Sequence, residues 1–191
     1  SLCVMAVMLF FTATGARSGN MTLAVNALFM QLYLLYSHFM DGFAYAGEAL
    51  VGKYAGAADK HSLRRCVSHL FAWGWSLAAI FAFAYGVFNH EVMSLFSDKP
   101  EVVAFAAAYR WWIALAPIAG MAAFIWDGVF AGLTATRQML LSLAGATAVY
   151  FAIYFLSPFP DTNSSLWTAF LTYLAVRGVI LWLCFARKNE Y

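Results

Sequence analysis

Long, nearly unbroken stretches of apolar residues, separated by short polar segments, are the feature that most restricts how this chain can fold. A membrane-spanning helix needs about 20 such residues, and strands of membrane barrels instead alternate in polarity over about ten. In lipid every backbone amide needs a partner within its own segment, so long apolar stretches must be helical. The sequence therefore predicts six transmembrane helices, at about residues 1–16, 21–52, 66–88, 101–134, 138–157 and 165–186.

The composition excludes a soluble protein. Only 10% of the residues are charged, whereas soluble domains contain about 25%. The basic residues form no patch of the kind that binds nucleic acid, so we expect no nucleic-acid partner. Cys3, Cys66 and Cys184 are far apart and lack the spacing of metal ligands, so we expect no metal site and no cofactor. An all-α integral membrane protein in contact with the lipid bilayer is the expected fold class.

Two shorter features refine this topology. The first apolar stretch ends near Ala16, which is short for a span. We therefore expect that its helix lacks its beginning and that the chain is part of a longer protein. The segment 89–100 is too polar to span, and its "EVMSLF" portion predicts a short amphipathic helix at the membrane surface before a new helix starts at Pro100.

Lysine and arginine residues in the short loops predict the orientation, because cytoplasmic loops carry more of them. One set of helix ends carries only Arg17, Lys99 and Arg110. The opposite ends carry the larger set, which is Lys53, Lys60, Arg64, Arg65, Arg137, Arg187 and Lys188. We therefore expect the polar loop at 53–65 and the carboxyl end to be cytoplasmic.

A polar stripe runs along the second predicted helix. Gln31, His38, Asp41, Tyr45 and Glu48 fall within an arc of about 100° on one face. A charge at the centre of a bilayer costs roughly 2.5–3.5 kcal/mol, so buried charges usually face a cavity or each other. Two carboxylates on one stripe favour a site for a cation. Taken alone, the glutamine, histidine and tyrosine would favour packing against another helix.

Two more charges lie at depth, Asp127 and Arg177. Counted from the cytoplasmic helix ends, they and Asp41 lie in one layer, roughly 13–18 Å from the inner surface at about 1.5 Å per residue. We expect Arg177 to pair with Asp127, Asp41 or helix-end carbonyl groups; snorkelling to the headgroups is the alternative. The small residues after Asp127 favour close approach of another helix.

Three stretches carry a family resemblance: "LAVNALFMQLYLLYSHFMDGFAYAGEALVGKYAGA", "WDGVFAGLTATRQM" and "LWTAFLTYLAVRGVIL". They resemble the multidrug and toxic compound extrusion (MATE) family, in particular the branch related to DNA-damage-inducible protein F. The resemblance implies a twelve-helix transporter of two lobes, of which this chain is similar to the carboxy-terminal lobe. Its partners would then be an amino-terminal lobe, absent from this chain, and small-molecule substrates, often organic cations.

The resemblance also implies a function and a site. Members export toxic compounds in exchange for protons or sodium ions, here across the inner membrane of a bacterium. Asp127 would lie on the tenth helix, where an acidic residue takes part in cation coupling in some branches. A lipid-linked saccharide flippase of similar architecture and a membrane protein without transport activity are the alternatives. The sequence shows no HExxH or GxSxG motif, so we expect no enzyme and no catalytic residues.

Overall fold

A computed structural model describes residues 2–157 and 162–187 of the chain. The described residues form seven α-helices and one 3-10 turn, with no β-strand. In chain order these are α1 (Leu2–Gly15), the 3-10 turn (Ala16–Ser18), α2 (Asn20–Gly56), α3 (Lys60–Val87), α4 (Asn89–Phe96), α5 (Pro100–Gly132), α6 (Thr136–Leu156) and α7 (Thr162–Arg187).

The all-α membrane architecture is confirmed. Among the described helices, α2, α3, α5, α6 and α7 are long and apolar enough to cross a membrane. The first apolar helix, with its 3-10 turn, is shorter, as the sequence predicts. The eight residues of α4 form the short helix expected around "EVMSLF". Residues 158–161, in the predicted connection between the fifth and sixth helices, and Lys188 at the carboxyl end lie outside the described residues.

Helix α5 is the centre of the bundle. In its most apolar stretch 67% of the residues are buried, against 17% in α6, so α5 is enclosed by protein while α6 lies at the periphery. Helices α2, α3 and α7 all pack against α5. Large apolar side chains such as Phe83 and Leu156 remain exposed on the outer helices. A lipid environment accommodates such a surface, whereas water would not.

A buried polar cluster joins α2 to α7 near their amino ends. The Asn26 side-chain amide donates a hydrogen bond to the side-chain oxygen Oδ1 of Asn163 at 2.6 Å, and the Trp167 indole donates to Oδ1 of Asn26 at 3.0 Å. Sequence inspection did not identify this cluster. Buried polar groups need such partners, so the cluster fixes how the two helices align.

The predicted loop at 53–65 is much shorter in the structure. Helix α2 continues to Gly56 and α3 begins at Lys60, so only residues 57–59 connect them. The prediction was wrong here because polarity marks where the chain leaves the lipid, and a helix can continue into water beyond that point. Asp59 caps α3 by accepting a hydrogen bond from the Ser62 amide at 3.0 Å, and the Ser62 contacts lower the pKa of this exposed carboxyl group.

The α2–α3 and α5–α6 connections end their first helix in the same way. Ala58 and Thr134 each adopt a left-handed conformation with φ of 54°. The amides of the residues that follow, Asp59 and Ala135, donate to the carbonyl groups of Tyr54 and Phe130, five positions earlier, at 3.0 and 2.9 Å. This is the Schellman motif, which usually has glycine at the left-handed position. The two non-glycine residues are therefore strained.

Replacing Thr134 with glycine should stabilise the protein. A left-handed conformation costs an L-residue roughly 1–2 kcal/mol, more for a β-branched one, while glycine loses about 0.5–1 kcal/mol of entropy. We expect Thr134→Gly to raise the unfolding temperature in detergent. The matched control is Ala135→Gly, because the neighbouring residue has φ of −92° and no left-handed strain to relieve. An equal gain in both variants would contradict the explanation.

Candidate functional site

The polar stripe of α2 lies on the surface of the described bundle. Gln31, His38, Tyr45 and Glu48 are exposed, and Asp41 is half-buried beside them. The buried face of α2, which includes Met40 and Gly47, points elsewhere. The exposed side chains of the stripe therefore do not pack against the other described helices. Helix packing, the alternative considered for Gln31, His38 and Tyr45, is excluded within this bundle.

His38 is oriented by its own helix. Its Nδ1 atom lies 2.5 Å from the carbonyl oxygen of Leu34, one turn earlier. A carbonyl oxygen can only accept, so Nδ1 carries the proton in this contact. When the imidazole is neutral, Nε2 is then the acceptor and is left for a partner outside this turn.

Two glycines of α5 bring it against the backbone of α2. A Cβ atom at Gly128 would overlap the backbone of Ala44, and one at Gly132 would lie 2.5 Å from the carbonyl oxygen of Glu48. On the α2 side, Gly52 faces Gly132 in turn. The close helix approach expected after Asp127 is therefore confirmed, and it follows the small-residue spacing that membrane helices use. The crossing brings Asp127 to the part of α2 that carries both acids.

Arg177 of α7 forms an ion pair with Asp127 of α5 through its Nη2 atom. The two side chains are only 13% and 27% exposed. Gly178, the next residue, lets α7 approach closely, because a Cβ there would lie 2.8 Å from that of Ala122. The guanidinium also lies 5.8 Å from the centre of the Tyr173 ring, within range of a cation–π interaction. This is one of the arrangements expected for Arg177, and it differs from snorkelling.

Asp41 is the acidic residue of this region that does not take part in the ion pair. It acts electrostatically on Asp127, so the two carboxyl groups share one region of the bundle. Among the described residues, no basic side chain forms an ion pair with Asp41. A half-buried carboxylate without a cationic partner attracts a cation. Glu48 is exposed closer to the end of α2 and lies outside the ion pair.

Within the part of the chain that the structure describes, two buried polar atoms at the ion pair have no hydrogen-bond partner. They are the Nε atom of Arg177 and the hydroxyl group of Tyr173. Sequence analysis missed Tyr173, although it lies one turn before Arg177 on the same helix, a spacing that places the two side chains together. Buried polar groups of this kind usually form hydrogen bonds, so Arg177 and Tyr173 can each still bind a polar partner. Within residues 2–157 and 162–187, no group of three His, Cys, Asp or Glu side chains could hold a metal ion.

The α2–α5 crossing gives a direct mutational test in two Asp-Gly pairs. Gly128→Ala would press a methyl group into the backbone of Ala44, so we expect a loss of about 1–3 kcal/mol in the free energy of unfolding. Gly42→Ala is the matched control, because a Cβ there meets nothing within 4 Å and alanine favours a helix. Thermal unfolding in detergent measures both. Equal stability of the two variants would refute the close crossing.

The ion pair can be tested by a double-mutant cycle. Arg177→Gln and Asp127→Asn should each lower stability, because each leaves a charge without its partner. The double variant should lose less than the sum, with a coupling of about 0.5–3 kcal/mol. Asp127→Asn combined with Arg64→Gln serves as the control and should be additive, since Arg64 is exposed on α3. An additive Asp127–Arg177 cycle would show that the contact contributes nothing.

Comparison with known proteins places this geometry in context. The MatE family model matches residues 1–156. DNA damage-inducible protein F of Escherichia coli (strain K12) is 31% identical over 170 residues, which are 89% of this chain and 37% of that protein. Protein DETOXIFICATION 45, chloroplastic, of Arabidopsis thaliana is 24% identical over 94% of this chain and 32% of its own length. The chain therefore spans about a third of the length of the curated relatives that it matches.

Proposed function

Because the chain belongs to the MatE family, we propose that it is the carboxy-terminal lobe of a secondary active exporter of toxic small molecules. The substrates are organic compounds, often cations, and they leave in exchange for protons or sodium ions. The family expected from the sequence is confirmed, as is a multi-pass membrane protein. The inner membrane of a bacterium remains the proposed location.

The observation that carries this proposal is the position of the two α2 acids. Asp41 is half-buried and Glu48 is exposed on one polar face of an otherwise apolar helix, at the surface of the bundle. Charged groups at membrane depth are retained where they face a wet cavity or a partner. The stripe supports a cavity between this lobe and an amino-terminal lobe, with the carboxylates attracting cations into it.

In an alternating-access transporter, the acidic side chains of α2 can couple ion binding to the change of conformation. A cation that binds the cavity in one conformation more tightly than in the other shifts the balance between the two. Asp41 is suited to this exchange because it has no ion-pair partner among the described residues, whereas Asp127 is neutralised by Arg177. We propose that Asp41 takes the coupling ion directly. Asp127 then responds through its electrostatic interaction with Asp41 and its contact with Arg177.

The ion pair also bears on the alternative function. A flippase for pyrophosphate-linked lipids would present arginine side chains to an anionic substrate, because arginine binds phosphate through paired hydrogen bonds. Arg177, the arginine at this depth, instead pairs with Asp127 inside the bundle. The arrangement favours a cationic over an anionic substrate.

Neutralising the acids should stop coupled export. We expect Asp41→Asn and Asp127→Asn each to reduce gradient-driven efflux about tenfold or more, because a contact with a charged group contributes about 1.5–3 kcal/mol. Glu48→Gln should reduce it less, since water near the helix end screens that carboxylate. The measurement is efflux of a fluorescent organic cation from vesicles that contain the complete transporter, under an imposed proton or sodium gradient.

Each rate is normalised to the amount of inserted protein, so that poor insertion is not mistaken for loss of coupling. Glu101→Gln, on the exposed first turn of α5, is the matched control for removal of a carboxylate and should export normally. Normal efflux by both aspartate variants would refute the coupling role. Loss in one imposed gradient and not the other would identify the coupling ion.

A further inference from the structure

A groove between α2 and α3 lies apart from the polar stripe. It forms an open cavity of about 470 Å³, within the range typical of ligand sites. Phe43 and Leu50 line it, and they lie two positions from Tyr45 and Glu48. Two positions correspond to about 200° around an α-helix, so the groove opens on the opposite side of α2. It therefore belongs to a different site from the one proposed for the coupling ion.

The lining of the groove changes from polar to apolar along its length. Ser62, Arg65 and His69 line the part near the start of α3, and Leu70 and Trp73 line the part further along that helix. Ser62 and Trp73 are eleven positions apart, which corresponds to about 16 Å along the axis. The antiparallel helix α2 follows the same order, with Tyr54 at the polar end and the apolar Phe43 at the other.

The polar end of the groove is also the positively charged end of the bundle. Residues 53–69 contain the basic residues Lys53, Lys60, Arg64 and Arg65 and a single acid, Asp59. Asp59 is engaged in capping α3, since it accepts from the Ser62 amide at 3.0 Å. An anionic group is therefore favoured there, at the surface where the chain leaves the lipid.

We propose that this groove binds an anionic phospholipid of the adjacent leaflet. Its phosphate group contacts Arg65, with His69 and Ser62 beside it, and an acyl chain lies along Leu70 and Trp73. A phospholipid has the same order of polarity as the groove, and its phosphate matches the donor geometry of arginine. A free phosphate ion would use the polar end only and leave the apolar end empty. The proposal is independent of the transported substrate.

Two adjacent arginines provide the test. Arg64 and Arg65 are both exposed and carry the same charge, but only Arg65 lines the groove. The complete transporter in detergent is titrated with dioleoylphosphatidylglycerol while its thermal unfolding is followed. We expect Arg65→Gln to raise the half-saturating lipid concentration about tenfold, as the loss of a charged contact implies, and Arg64→Gln to leave it nearly unchanged.

Two further titrations distinguish an anionic phospholipid from a neutral phospholipid and from a free phosphate ion. Dioleoylphosphatidylcholine should stabilise the protein much less, and inorganic phosphate alone should not stabilise it. Equal effects of the two lipids, or of the two arginine variants, would overturn the proposal in favour of a general detergent or charge effect. Stabilisation by inorganic phosphate alone would overturn it in favour of a free-anion site.

A second readout needs no variant, which guards against misfolding. Cys66 also lines the groove. Its alkylation by a maleimide, measured on the peptide by mass spectrometry, should slow several-fold with phosphatidylglycerol and remain unchanged with phosphatidylcholine. Cys184, on α7 and outside the groove lining, is the internal control. Unchanged alkylation of Cys66 at saturating phosphatidylglycerol would also overturn the proposal.

Discussion

The close contact between the backbones of α2 and α5 is the constraint on which the rest of the bundle depends. Gly128 and Gly132 have no side chains to hold the helices apart, so the α5 backbone meets α2 at Ala44 and Glu48. In lipid there is no hydrophobic force to bring helices together, and such packing takes its place. The crossing sets the distance between the acid of α5 and those of α2, and it makes α5 the buried axis of the bundle.

The ion pair between Asp127 and Arg177 completes this arrangement from the other side of α5. The α2 contact leaves Asp127 directed to α7, where Gly178 again allows close approach. Among the described residues, one carboxylate is thereby neutralised and another, Asp41, has no ion-pair partner. This difference between two acids in one region supports a division of tasks, in which one holds the bundle together and the other meets the cavity.

The sequence predicted the features that follow from helix geometry, but it did not predict contacts between residues far apart in the chain. The common depth of Asp127 and Arg177 followed from counting, because the rise of a helix is fixed. The close approach at Gly128 was expected from the small residues after Asp127, but the contrast with the open position of Gly42 was not, since both glycines follow an aspartate. The cluster of Asn26 and Asn163 joins residues 137 positions apart, which no local pattern reveals. The helix ends near 53–65 were missed because polarity marks where the chain leaves the lipid, and because Ala58, the left-handed residue there, is not a glycine.

Helix α2 is held at two places far apart along its axis. It has 37 residues; the crossing with α5 lies near its carboxyl end, and Asn26 is bound to α7 near its amino end. Asn26 is about 27 Å along the axis from Ala44, whereas Asp41 is only about 5 Å away. A tilt of about 10° about Ala44 would displace Asn26 by about 5 Å and Asp41 by less than about 1 Å. A tilt of α2 would therefore have to carry α7 with it or break the asparagine cluster, while the acid beside the crossing stays nearly in place.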